Sequence, residues 1–445
     1  MGDYHAAATG FYFSNNAAIE TPSSTVAVSH IKEVVSEEDI SIVSPVKVLD
    51  LQAANKKLRE DAHSFAFESK DGIKGRVDVV RVSSNDPVED EWAVSAGKGV
   101  GGSNTVFAGV YDGHAGGATS ATLKATLIPY VSTALNRLAR SAPGEVIDTA
   151  IKDAFVHLDD RILDIAKVAC EAGHDPGSAE VVSALMPAAH GSCALLAVYD
   201  LHASILRTAV TGDSRAVLGS WSATTGMFSA DVLSIDQTGF NQDEVRRLDR
   251  EHPGEIGELI DTKEGRLVGL MVTRAFGDNR LKWPNDLLKL SQSHYHGFGP
   301  LAKNKTPPYL TARPEITTRR VQTQDFAILA SDGLWDVMSS DDAVECVSRW
   351  LVARNAGKSE PVHDIKAVGK AAGKLDDKGW LTSSITPELF AIEDLDNAAV
   401  CLAKNALGGK RRSMFCGAMT VPPPIRRNVR DDITVQVIFF KDPSI

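Results

Sequence analysis

Two short stretches set an aspartate against a glycine at the end of an apolar run: Val110-Tyr-Asp-Gly-His-Ala-Gly-Gly117, after "TVFAG", and Asp332-Gly333 in "AILASDGLWDV". Asp-Gly at such a place is ordinary turn chemistry, because both residues favour backbone reversal. His114 directly after Asp112-Gly113 raises a second reading, a metal ligand beside a proton donor. The second reading gains weight because carboxylates recur in the same setting: Asp213 in "VTGDSRAV", Asp431-Asp432 before "ITVQV", and Glu89-Asp90 before Trp92-Ala-Val. Strands hold their end residues rigidly, so carboxylates distant in sequence can converge at a sheet edge and present oxygens to a hard divalent cation. Magnesium or manganese suits that donor set, whereas zinc prefers His and Cys.

The elements that must position these residues are legible from periodicity. Between Gly117 and Arg140, Leu123, Leu127, Val131, Leu135 and Leu138 recur at helical spacing; from Glu145 to Val168, Ile147, Ile151, Ala154, Leu158, Ile162 and Ile165 do the same. "SCALLAVYD" (192–200), "ASILRTAV" (203–210) and "RAVLGSW" (215–221) are closely spaced strand patterns, predicting a meander. A strand at 325–331, a helix near 341–352 and a terminal strand at 433–440 follow, and "VKVLDLQAANKKL" predicts a short helix between Val46 and Leu58. Strands cluster between helix pairs instead of alternating with them, which predicts an α+β fold rather than a doubly wound parallel sheet. Residues 1–44 lack sustained apolar periodicity and predict a disordered arm; 45–445 predict one catalytic domain, with loop-like insertions near 172–189, 284–314 and 354–427.

Composition narrows the function classes. With 43% hydrophobic and 24% charged residues the chain is ordinary for a globular protein, and a net charge of -11 disfavours a nucleic-acid surface. Five dispersed cysteines without a CxxC indicate neither a disulfide framework nor a zinc site. No apolar run reaches the ~18 residues needed to cross a bilayer, and the first arginine is Arg59, so an Arg-rich transit peptide is not evident.

The blocks "VEDEWAV", "VFAGVYDGHAGG", "HGSCALLAVY", "AVTGDSRAVLG", "DQTGFNQDEVRRL", "VTRAFGD", "LASDGLWDVMS" and "RDDITVQV" occur in an order and spacing that resembles the metal-dependent Ser/Thr protein phosphatases of type 2C. "SSNDPVED", "EHPGE", "RAFGDNRLKW" and "KTPPYLTARPEI" look like that family's mitochondrial pyruvate dehydrogenase phosphatase branch, especially its fungal members. The resemblance implies an α-β-β-α sandwich of two antiparallel sheets flanked by helices. It implies two Mg²⁺ or Mn²⁺ ions, and a third in some relatives, whose bridging hydroxide attacks phosphoserine or phosphothreonine.

By that resemblance Asp90, Asp112, Asp332 and Asp431 are the metal ligands, with the carbonyl of Gly113. Glu89 holds a metal-bound water, Asp213 and Asp336 contribute to the third site, and His114 is the general acid. Where many members carry a phosphate-gripping arginine five residues before the motif aspartate, this chain has Asn85, so phosphate binding falls to the metals, to Asn85 or to an arginine such as Arg81. The branch implies phosphorylated pyruvate dehydrogenase E1α as substrate and the mitochondrial matrix as location. The alternatives are a cytoplasmic type 2C phosphatase with another substrate and a catalytically silent phosphoprotein-binding module. Competing motifs are weak: "GKGVGG" (97–102) reads as a hairpin, "GKAAGKL" (369–375) lacks P-loop spacing, and "GKRR" (409–412) reads as a solvated basic patch.

Overall fold

The segment Ile433–Phe439 is buried at every residue, so it must be covered on both faces and paired on both edges. The computed structural model, which describes residues 47–68, 72, 74–295, 297–365 and 385–443, meets both demands. The chain divides into two units, Met1–Leu49 and Asp50–Ile445, and every element below belongs to the second. The arm at 1–44 and "GKAAGKL" lie outside the described residues.

Six strands form one antiparallel sheet: β1 (Ala62–Glu68), β2 (Lys74–Val82), β9 (Arg215–Ser222), β10 (Met227–Val232), β15 (Phe326–Ala330) and β16 (Ile433–Phe439), in the order β1-β2-β16-β15-β9-β10. Five form a second: β3 (Glu91–Lys98), β4 (Asn104–Tyr111), β7 (Ala194–Asp200), β8 (Ile205–Thr211) and β14 (Glu315–Arg320), ordered β14-β8-β7-β4-β3. Their inner faces meet in one core, where Val77, Val79, Leu218, Leu329 and Ile438 of the first pack with Val106, Val110, Leu195 and Leu206 of the second. Each such side chain contributes about 1.5–3 kcal/mol when fully buried.

Helices cover the outer faces. The amphipathic helices Ala118–Asn136 and Gly144–Glu171 place Leu123, Leu127, Val131, Phe155 and Leu158 against Phe107 and Leu196 of the five-stranded sheet. On the other side lie Ser340–Asn355 and Ala398–Ala406; Trp350 stacks on Phe439 with centroids 5.5 Å apart, and Asp78 of β2 accepts from the Ala398 amide at 2.8 Å. This is the expected α-β-β-α sandwich.

Several expectations need correction. The meander does not exist: β7 and β8 pair, but Gly212, at φ 106°, turns the chain so that β9 joins the opposite sheet beside β15. Short spacing between strands cannot distinguish a hairpin from a crossing between sheets. The loop-like stretch at 172–189 holds the helix Ala179–Ala189, whose N-cap Ser178 accepts from Val181, and 284–314 holds the helix Asn285–Tyr295. "GKRR" is no solvated patch either, since Arg411 is buried and Arg412 pairs with Glu393 at 2.6 Å. "GKGVGG" does connect two paired strands, β3 and β4, through one 3-10 turn.

Candidate metal centre

The pairings Glu91↔Tyr111, Val110↔Leu195 and Ala194↔Thr211 in one sheet, and Val82↔Ile433 and Arg215↔Ala330 in the other, bring one end of each sheet together. Each of the sequence's carboxylates sits there. Asp90 precedes β3, Asp112 follows β4, Asp213 lies in the crossing from β8 to β9, Asp332 opens the short helix Asp332–Trp335 after β15, and Asp431 precedes β16.

Asp112, Asp213 and Asp332 converge most tightly, each offering a carboxylate oxygen within 4.8 Å of the others. Asp213, which the resemblance assigns to a third site, thus lies beside two residues it assigns to the main pair, and Asp431 is engaged by the guanidinium of Arg427. Asp90 is 1% exposed and accepts from the Thr434 hydroxyl at 2.7 Å. A cleft of about 550 Å³ beside the cluster is lined by Asp213, Arg215, Asp236, Asp332, Trp335 and Asp336.

The electrostatics are those of anions confined without a counter-charge. Burial, followed by the repulsion of Asp432, pushes the Asp90 carboxyl up to about 8; burial and Asp332 do the same to Asp213, also to about 8, and raise Asp336 to about 7. Asp112 is pushed well above the usual range by burial and then by Asp332 and Asp90. Cys193 donates to Asp213 at 3.3 Å, and burial keeps its thiol protonated, so sulfur is not a ligand. A set of converging carboxylate oxygens with no thiolate fits a hard divalent cation.

The loop through Gly113 could take no larger residue, because a Cβ there would come within 2.3 Å of the Glu89 carbonyl. Gly113–His114 is itself a two-residue strand, β5, paired with β6 (Gly191–Ser192), which in turn pairs with β13 (Phe276–Gly277). That small sheet sets the His114 Nε2 2.7 Å from Asp278 Oδ2. Asp278 stands in left-handed backbone at φ 52°, and β13 just before it is anchored by the buried pair Asp159 and Lys282, with Gly277 donating to Asp159 at 2.8 Å. Burial works against the imidazolium, but Asp278, Asp213 and Glu89 outweigh it, so the His114 pKa is raised. Sequence reading gave Asp278 no role: the partners are 164 residues apart, and "AFGD" has no periodicity that points at a histidine.

A second residue without an assigned role is Asp432. Its carboxylate is 2% exposed as a residue and accepts from the backbone amides of Ser84, Asn85 and Glu89, the latter two at 2.9 Å, closing the loop that carries Glu89 and Asp90. Both residues named for gripping phosphate already have partners here. Asn85 donates its amide hydrogens to Glu89 at 2.8 Å and to Asp432 at 3.2 Å. Arg81 is held by Asp61 at 2.7 Å, by the Asp90 carbonyl at 2.8 Å and by Glu91 at 2.8 Å, so it braces the loop from behind. Glu89 also receives the Gly116 amide, and burial raises its pKa.

Two antiparallel sheets end in convergent carboxylates, with an acid-paired histidine beside them, a donor set that fits a hard divalent cation. The chain belongs to the protein phosphatase 2C family, whose model matches residues 75–375. It is 37% identical to a protein phosphatase 2C homolog of Schizosaccharomyces pombe, over 89% of this chain and 86% of that one. It is 33% identical to the mitochondrial [pyruvate dehydrogenase [acetyl-transferring]]-phosphatase 1 of Saccharomyces cerevisiae, over 92% of this chain and 76% of that protein. With the Bos taurus protein of the same description identity is 34%, over 67% of this chain and 56% of the bovine one. The protein is therefore a phosphatase of type 2C acting on serine/threonine phosphates, of a family that depends on metal.

Proposed function

We propose that Asp90, Asp112, Asp332, Asp431 and the carbonyl of Gly113 hold two Mg²⁺ or Mn²⁺ ions, with Asp213 and Asp336 serving a third and Glu89 a bound water. The observation that carries this reading is the approach of Asp112, Asp213 and Asp332 to within 4.8 Å at the shared end of both sheets. Cations bound there would neutralise phosphoryl oxygens and lower the pKa of a bound water toward neutrality. The chain's own task is to supply the proton that the poor alkoxide leaving group needs. His114 is our candidate for it: Asp278 engages Nε2 and favours the charged ring, which would leave Nδ1 to carry the transferable proton, an effect worth about 10²- to 10⁴-fold. Hydrolysis of a phosphothreonine peptide should vanish with EDTA and return with Mn²⁺; activity that survives chelation would sink the metal reading.

The substrate we infer is phosphorylated pyruvate dehydrogenase E1α in the mitochondrial matrix, supported by similarity over most of both chains to the yeast enzyme of that description. Loss of the gene should raise E1α phosphorylation, and fractionation of the untagged protein should place it in the matrix. Unchanged phosphorylation would leave a type 2C phosphatase with another substrate.

A further inference from the structure

A phosphomonoester brings a dianion toward a site already crowded with carboxylates, so some cation of the chain must meet it. Four arginines approach the cluster, and three are occupied. Arg81 braces the loop behind Asp90. Arg215 lies along Asp236, bonded at 3.0 Å through Nε, and its guanidinium sits 5.3 Å over the Trp335 ring. Arg430 donates to the carbonyls of Val82 and Ser83, the latter at 2.8 Å.

Arg427 differs. Its side chain is 49% exposed, and its only ion pair among the described residues is with Asp431, one turn along and itself 25% exposed. It belongs to the 3-10 turn Ile425–Asn428, which is clamped to the neighbouring loop because Arg426 donates to the Ser83 carbonyl and hydroxyl at 3.1 and 3.0 Å, and Arg430 to the same carbonyl. The clamp holds the Arg427 guanidinium against Asp431, the residue that leads into β16, and its positive charge is felt by Glu89, Asp332 and Asp336.

We propose that Arg427 is the residue that grips the substrate phosphate. A guanidinium carries five donors in a planar fork that matches phosphate oxygens, and one edge is used by Asp431. Binding of Asp431 to a cation frees that edge also. The proposal rests on the metal-site reading only in requiring that the phosphoryl group reach this cluster.

The test compares Arg427→Ala, Arg427→Lys and Arg246→Ala, the last removing an exposed charge from the helix Gln242–Glu251. Arg427→Ala should raise KM about 10- to 100-fold, the range of a lost charge-assisted hydrogen bond, with kcat changed far less. The loss should be the same for a phosphothreonine peptide and for p-nitrophenyl phosphate, since the contact is to phosphate and not to peptide. Binding of inorganic phosphate to the Mn²⁺-loaded protein, measured by calorimetry, should weaken by the same factor, Arg427→Lys should restore part of it, and Arg246→Ala should change nothing. Unchanged phosphate affinity in Arg427→Ala would overturn the assignment. So would a loss of Mn²⁺ affinity, read by electron paramagnetic resonance, as large as the loss of phosphate affinity, because Arg427 would then act only by orienting Asp431. Failure of the metal reading itself is separate: wild-type protein would then turn over without Mn²⁺.

Discussion

Asp432 and the trio Asp112, Asp213 and Asp332 are all carboxylates at the same end of the sandwich, and they live in opposite environments. Asp432 is ringed by donors, the amides of Ser84, Asn85, Glu89 and Asp90 and the side chain of Asn85. The trio faces mainly other carboxylates. A buried anion whose acceptors are filled by backbone amides holds structure together, whereas buried anions that repel one another persist because a ligand compensates them. Adjacent residues can therefore divide the roles: Asp432 closes the loop, while its neighbour Asp431 pairs with Arg427.

The sharpest break of this comparison is Asp332→Asn. Loss of a ligand removes several kcal/mol of transition-state stabilisation, so activity with Mn²⁺ should fall about 10³-fold, while the EDTA-treated protein should melt no lower than wild type because a repulsion is relieved. Equal loss of stability and activity would show that Asp332 holds the fold as Asp432 does.

Asp432→Ala should behave the other way. It leaves several buried amides without an acceptor, each costing about 1–3 kcal/mol, so urea unfolding should show a loss of about 3 kcal/mol or more; a loss below about 1 kcal/mol would mean that the loop relaxes and Asp432 is not its anchor.

Between these extremes stands Asp278→Asn, which removes the charge that favours the imidazolium of His114. We expect kcat to drop about 10- to 100-fold, part of the general-acid contribution, with Mn²⁺ affinity unchanged in a metal titration. A matched fall in metal affinity would move Asp278 into the metal centre.

The last effect is on stability against pH and leaves the chemistry aside. In metal-free protein Asp90 and Asp213 hold protons up to about 8 and Asp336 up to about 7, against 3.8 for an ordinary Asp. Between those values the folded state binds more protons than the unfolded one, so stability must fall as pH rises from 4 to 8. The melting temperature of the EDTA-treated protein should drop across that range, and Mn²⁺ should raise it more at pH 8 than at pH 5.5. A pH-independent melting point would show that the carboxylates are already compensated.

Legibility followed the range of the interaction. The long helices beneath Leu123 and Ile151, the strands at 326–330 and 433–439 and the strand-end aspartates were readable because a 3.6-residue or two-residue period, or a turn residue after an apolar run, is local. The meander failed because pairing partners are set by which face of β9 meets the opposite sheet, and the helix at 179–189 was overlooked because its cap, Ser178, sits in a Gly-rich stretch that reads as loop. Arg81 and Asn85 were plausible phosphate grips in sequence, since type and position were right; only packing showed their donors turned to Asp61, Glu91, Glu89 and Asp432.

By itself the sequence determined that aspartates would end strands in a helix-covered α+β protein, and the motifs that carry its family resemblance. Tertiary structure alone decided which of those aspartates face one another, that Asp278 meets His114 across 164 residues, and that Arg427 pairs with Asp431 while Arg81 is bound to Asp61, Glu91 and the Asp90 carbonyl. The physical reason is that residue type sets what a group can do, whereas donor supply, burial and distance, which only the packed chain fixes, set what it is left to do.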